Sequence, residues 1–367
     1  MKMTMKKAAI LISIALCASC AAPLHMNIGT NGDNIYEAVW NGKTLKAVNS
    51  LPARQVTYFA NGADGVFYSV GKEKDGAALS TFKNGRKLAM MKQSPKTSCF
   101  IITTPHPYIF TAEYGAATIS AFNVKDGVVT GLAQNMHFEG CGPHKNQKTA
   151  HMHQIRMVPE DMCKAAGIEG EWYFATDLGS DRIRCFRYLA AAADSVLQYV
   201  PSLDIMFKPG SGPRHMEFNH KFGLLYCVTE LSDEVVTFKL GNAGGAPTLT
   251  QNSCIHADEA YASGGADIHL SPDGRFLYSS HRLKSDGIAI FKVSEADGSL
   301  KRIGFQRTES HPRNFVLSPD GKNLFVACRD GKCVQVFDID KESGMLSERT
   351  KARLVLENAP PMCVILK

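Results

Sequence analysis

The sequence predicts an all-β fold: a seven-bladed β-propeller closed by N- and C-terminal strands in one blade. Three observations predict it. A strand–turn–strand phrase recurs about every fifty residues, six times between Arg54 and Ile339. Each copy continues into an alternating strand and a weaker outer one, and four strands in roughly 40–50 residues is the pattern of a propeller blade. The two chain ends each carry part of one more unit. Pairing them closes the ring and leaves no free sheet edge. Two separate β-sandwiches are the competing architecture. With 44% hydrophobic and 21% charged residues, the 367-residue chain has the make-up of a soluble globular protein.

The first twenty or so residues stand apart. Lys2, Lys6 and Lys7 form a positive region, Ala8 to Leu16 an apolar one, and Cys17-Ala18-Ser19-Cys20 follows. This is the grammar of an export signal. It resembles a bacterial lipoprotein signal, which implies removal of residues 1–19, a lipid on Cys20 and an envelope location. Residues 20–367 then form a single propeller domain. A lipid on Cys20 is the one membrane contact expected, because nothing after residue 25 approaches the roughly 20 apolar residues of a membrane helix. Without the signal the formal charge falls from +6 to +3. That is no footprint for nucleic acid. It suits a small anionic ligand. Nine cysteines lie beyond the signal with no C-x-x-C spacing. An odd number argues against a fully paired disulfide framework.

The six copies run Arg54–Gly71, Thr97–Val124, His151–Tyr188, Pro213–Leu240, Ala266–Val293 and Pro312–Ile339. The last two contain Ser271-Pro-Asp-Gly274 and Ser318-Pro-Asp-Gly321, turns in which Pro fixes φ and Gly supplies a positive φ. Outer strands follow at Leu300–Thr308 and Leu346–Lys351. The seventh blade combines Pro361–Leu366 with Leu24–Val39. Two insertions, Asn135–Thr149 and Gln251–Gly264, precede first strands. They are expected as long loops on one face, where function concentrates.

Antiparallel neighbours put the start of one strand beside the end of the next. First-strand starts supply His151, His153, Arg214, Asp267, His269, His311 and Arg313. Second-strand ends supply Glu113, Tyr114, Asp177, Glu230, His281, Arg282 and Arg329. One face therefore gathers the His, Arg, Asp and Glu residues, and the opposite face gathers the Pro-Asp-Gly turns. The stretch Gly210–Leu231 sets the plan, with Arg214 starting one strand and Glu230 ending the next.

Structural roles compete with functional ones. His151 and His153, two apart on a strand, face one side and form half of a metal site at most. Arg214 has a plain salt bridge to Glu230 as its alternative. Arg313 and Arg329 divide between a substrate rim and ion pairs between blades. Asp177 and Asp181 fix a turn, Glu113-Tyr114 caps a strand, and His215 and Met216 belong to the core.

The phrases His151-Met-His153, Asp177-Leu-Gly-Ser-Asp-Arg-Ile, Gly210-Ser-Gly-Pro-Arg214-His-Met, Val228-Thr-Glu230-Leu, Ala266-Asp-Ile-His269-Leu-Ser-Pro-Asp-Gly, His281-Arg282 and Glu309-Ser-His-Pro-Arg313-Asn-Phe resemble the seven-bladed lactonase family, bacterial 6-phosphogluconolactonases of the propeller type with fungal muconate lactonizing enzymes as relatives. They span about residues 97–340. The resemblance implies His153 as acid/base, Glu230 near it, and Arg214 and Arg282 holding an anionic substrate, with His269, Arg313 and Asp177 as further substrate contacts. It implies a carboxylic ester hydrolase that opens a sugar lactone, with no cofactor and no metal. A neutral imidazole can take a proton from water. A nearby carboxylate can orient that ring. Arginine grips an anion and steadies an oxyanion. No Gly-x-Ser-x-Gly elbow is present. Lactone formation of the muconate type and a non-catalytic envelope propeller are the alternatives.

Overall fold

The structure is a computed structural model that describes residues 22–74, 76–92, 98–190, 195–258 and 263–367. The signal segment and Cys20 lie outside the described residues. Seven antiparallel sheets form the ring. From the tunnel outward, blade 1 is Tyr58–Asn61, Val66–Glu73, Gly76–Lys83 and Arg86–Lys92, and blade 2 is Phe100–Thr103, Tyr108–Glu113, Thr118–Lys125 and Val128–His137. Blade 3 begins with Met152–Met157, Trp172–Asp177 and Arg182–Tyr188. Blade 4 is Pro213–Asn219, Leu224–Thr229, Glu234–Ala243 and Ala246–His256. Blade 5 is Gly265–Leu270, Phe276–His281, Gly287–Val293 and Leu300–Arg307, and blade 6 begins with Pro312–Leu317, Asn323–Cys328 and Cys333–Ile339. In blade 7 the C-terminal Pro361–Leu366 is innermost and pairs with Leu24–Thr30, followed by Asn34–Trp40 and Leu45–Pro52. The chain ends thus share one sheet, as the sequence predicts.

Every strand alternates its side chains between the two neighbouring blades, so each blade-to-blade interface has its own apolar cluster. Met26, Ile28 and Trp40 of blade 7 meet Phe325 and Val336 of blade 6. Ile35 and Leu51 of blade 7 meet Phe59, Phe67 and Phe82 of blade 1. Trp172 and Phe174 of blade 3 meet Phe218 and Phe238 of blade 4. Fully burying each such side chain contributes about 1.5–3 kcal/mol. A polar tie recurs beside them. Tyr68, Tyr226 and Tyr278, all on second strands, donate to the carbonyls of Gly127, Gly298 and Gly344 in the next blade's outer turn. Those turns need glycine for positive φ, and the carbonyl they expose gives the buried phenol its partner.

Three local features differ from the sequence expectation. A helix, Glu160–Ala166, interrupts blade 3 between its first two strands. Acidic residues open it, Gly167 closes it at φ 69°, and Met162 and Cys163 are its buried contacts. Seven residues are too few to show helical periodicity. The outer edges of blades 3 and 6 are each split, into Leu197–Tyr199 with Ile205–Met206 and Leu346–Glu348 with Leu354–Val355. The expected insertion Gln251–Gly264 begins as strand, since Ala246–His256 pairs along its length with Glu234–Ala243.

Candidate active site

Register places first-strand starts and second-strand ends on one mouth of the tunnel. Pro213 pairs with Thr229, Gly265 with His281, and Pro312 with Cys328. Close to this mouth the register slips in four successive blades, between Met152 and Gln154, Pro213 and His215, Gly265 and Ile268, and Pro312 and Asn314. The residues left out of register are His153, Arg214, Ala266 with Asp267, and Arg313. A bulge breaks strict alternation and re-aims a side chain. It lets Arg214 and His215, adjacent in sequence, bond to each other.

Glu230 links the two arginines. Its Oε2 accepts from Arg214 Nε at 3.0 Å and from Arg282 Nη2 at 2.6 Å. The two cations come from different blades, and the backbone between them is tight. Gly264 donates its N–H to the Glu230 carbonyl, while its own carbonyl accepts from Arg282 N–H. A Cβ at Gly264 would stand 1.9 Å from the Arg282 carbonyl oxygen, and φ there is +124°, so only glycine fits. Burial pushes the Glu230 carboxyl up, but Arg282 and Arg214 outweigh it and hold it below the usual carboxylate range. Burial lowers Arg282 to about 9 against the pull of Glu230, with Arg214, Arg313 and Arg329 adding repulsion. Arg214 is 1% exposed and Arg282 7%. Arg282 Nε is buried without a hydrogen-bond partner among the described residues.

His153 lies in the field of these arginines. It is 4% exposed, and its Nδ1 is buried with no hydrogen-bond partner among the described residues. Burial first, then Arg214, His215, Arg313 and Arg282, hold its pKa well below 6.5. The ring is neutral at pH 7. It packs edge-on to Tyr114 and His215, with centroids 5.7 and 5.1 Å away. Glu230 was expected to orient this imidazole; its observed bonds go to the arginines instead. His151 takes another direction. Its ring stacks flat on Tyr114 at 4.2 Å and its Nδ1 meets the Tyr114 carbonyl.

Other candidates have different surroundings. Asp177, expected among the substrate contacts, is fully buried. It accepts from His151 N–H, Gly179 N–H, Ser180 Oγ, and both Nε and Nη2 of Arg184. Those bonds occupy the carboxylate, so it fixes the turn, as its structural alternative held. His269 does not open its strand. It pairs with Tyr278, which lies three residues below His281 on the unbulged second strand, and so sits roughly 10 Å from the mouth at 3.3 Å per residue. There it meets Asp267 Oδ2 at 3.2 Å and Glu217 Oε2 at 3.6 Å. Burial opposes its charge, but the two carboxylates raise it to about 10. Arg313 Nη1 donates to the carbonyls of Thr57 and Met362, tying blade 6 to blades 1 and 7. Its charge still acts on His153. Arg329 pairs with the neighbouring Asp330 at the rim. His215, expected in the core, is buried but polar, with Nδ1 2.7 Å from Asp267 Oδ1. His281 joins Ser279 and Asp233 in a Ser–His–Asp arrangement with contacts of 2.6 and 2.7 Å. All three are at most 1% exposed, so the serine has no route to a substrate and the set ties blade 4 to blade 5.

The family described as "Lactonase, 7-bladed beta-propeller" matches residues 21–366. The chain belongs to this family. Among its relatives, the 6-phosphogluconolactonase of Formosa agariphila is 36% identical over 248 residues, which is 66% of each chain. That of Bacillus subtilis is 31% identical over 79% of this chain and 82% of its own. A solved Bacteroides fragilis protein superposes with TM-score 0.85 at 33% identity, covering 95% of this chain and 99% of that one. The periplasmic gluconolactonase of Pseudomonas aeruginosa shares the fold at TM-score 0.84 and 22% identity, over 94% and 99%.

Proposed function

We propose that this seven-bladed lactonase hydrolyses an anionic sugar lactone to its acid, in the manner named for its 6-phosphogluconolactonase relatives. The observation that carries this reading is a buried, neutral His153 whose Nδ1 has no hydrogen-bond partner among the described residues, in the field of Arg214 and Arg282, which share one Glu230 oxygen. The arginines hold the anionic group and stabilise charge that develops on the carbonyl oxygen. His153 takes a proton from water as the water oxygen bonds to the acyl carbon. The ring C–O bond then breaks, and the same proton passes to the departing alkoxide. Glu230 keeps the two guanidinium groups side by side. The depressed pKa keeps His153 unprotonated but also weakens it as a base. An anion bound to the arginines offsets their repulsion, so the imidazole becomes more basic when substrate is present.

The reading includes export. The N-terminal Lys-rich, apolar and Cys20 segments support a lipid-anchored envelope protein, and the substrate is then one that occurs outside the cytoplasm. A pH-stat screen of the mature protein against phosphorylated and plain aldonolactones tests the activity. Turnover should fall by about 10²–10⁴-fold in His153→Ala with the melting temperature kept. Full activity in that variant would remove the mechanism.

A further inference from the structure

The mechanism above leaves unused a buried pair beneath the arginines, His215 and Asp267. The Asp267 carboxylate is 1% exposed and accepts from Asn314 Nδ2, the N–H of Phe315 and His269 Nε2. Its Oδ1 also accepts from the N–H of Ile268 at 3.1 Å and meets His215 Nδ1 at 2.7 Å. An ionised carboxylate only accepts, so Nδ1 must carry the hydrogen. Nε2 is then a bare lone pair, and it lies 3.3 Å from Arg214 Nη1, which only donates. The opposite tautomer would set N–H against N–H. The carbonyl of Ala266, next to Asp267 in the bulge, accepts from the same Nη1. Arg214 is thus fixed at Nε by Glu230 and at Nη1 by His215 and Ala266. No bond of this set uses Nη2. The His215 ring also makes an edge-on contact with His153, with centroids 5.1 Å apart.

We infer that His215 and Asp267 are positioning residues: Asp267 locks the tautomer that makes His215 an acceptor, and His215 holds Arg214 and the His153 ring in their working orientation. This assignment rests on the lactonase reading for its kinetics but not for its geometry. Burial and Arg214 lower His215 to about 3 against the pull of Asp267, consistent with a neutral ring. A tie of this kind acts by pre-organising the group that meets substrate.

Three substitutions separate this role from simple packing. In His215→Gln an amide oxygen replaces Nε2 and can still accept from Arg214. His215→Asn restores the donor to Asp267 but offers Arg214 nothing, and His215→Phe offers neither. The expected order of KM is wild type, then Gln, then Asn and Phe, the last two raised about 10- to 100-fold for one lost bond to a charged group. Titration with gluconate and 6-phosphogluconate as probe anions should give the same order of Kd. Asn matching wild type, or Gln matching Phe, would overturn the inference. Nitrogen-15 NMR of the wild-type histidines supplies a check independent of turnover and of any variant's folding. Protonation at His215 Nδ1 is expected, and protonation at Nε2 would overturn the inference. A wild type that opens no lactone would sink the proposed function, while the tautomer and the anion titrations would still decide the positioning role.

Discussion

Replacing Glu230 by Gln removes the one carboxylate among the described residues that bonds both Arg214 and Arg282, and keeps the volume. The side chain is mostly buried, and its Oε2 meets both guanidinium groups within 3.0 Å. Deleting one partner of a buried ion pair costs about 3–5 kcal/mol, because the remaining charge is left uncompensated. The amide oxygen of Gln can still accept one bond, so the lower end, about 3 kcal/mol, is expected. With an unfolding entropy of about 2.1 cal/mol/K per residue over some 350 residues, that lowers Tm by about 4 °C. The sign of a second effect is more telling. Without Glu230 neither arginine keeps a carboxylate partner among the described residues, so added phosphate should raise the Tm of Glu230→Gln more than that of wild type. Turnover should fall even where the probe anion binds, since the arginines are no longer held side by side. Differential scanning calorimetry with and without phosphate, together with pH-stat rates, measures all three. An unchanged Tm with no extra response to phosphate would refute the coupling argued for Glu230.

Three other outcomes follow from the same geometry. Catalysis through His153 requires the neutral ring, whose pKa is depressed in the free protein. The kcat/KM profile should therefore stay level as pH falls through 6.5 and decline only below it, while kcat declines at higher pH because bound anion raises that pKa; a midpoint at 6.5 in kcat/KM would contradict the burial argument. Asp177→Ala should cost about 3–5 kcal/mol in denaturant unfolding by stranding the buried Arg184, with KM within about twofold of wild type; a KM effect without a stability loss would return Asp177 to the substrate contacts. Gly264→Ala should displace Arg282 and weaken gluconate binding by about tenfold or more, because its Cβ would meet the Arg282 carbonyl at 1.9 Å; unchanged calorimetric binding would show that this backbone contact is not needed.

Much of the ring is readable without coordinates because a blade is a local object. Alternating strands such as Trp172–Asp177 and turns such as Ser271-Pro-Asp-Gly274 are specified by neighbours in sequence, and their repetition tells how many blades there are. Closure was legible too, since Pro361–Leu366 and Leu24–Thr30 each lack what the other provides. The helix Glu160–Ala166 was missed: its Pro, acidic first turn and closing Gly are signals, but seven residues carry no period.

Sequence alone determined which residue types gather at one mouth, because antiparallel order fixes where each strand starts and ends. His153, Arg214, Glu230 and Arg282 come from three blades and follow from that rule. Only the tertiary structure decided what each of them touches. Four bulges each put one extra residue into an inner strand, and each falls within the strand's first residues, where too few positions precede it to set a phase that the shift could be read against. They turn His215 from expected core into a partner of Arg214, and Asp267 into the anchor of both His215 and His269. Depth along the tunnel was equally hidden, since His269 and Gly265 share a strand but lie at different levels. Which carboxylate serves which cation depends on distances between blades, and sequence order carries no information about those.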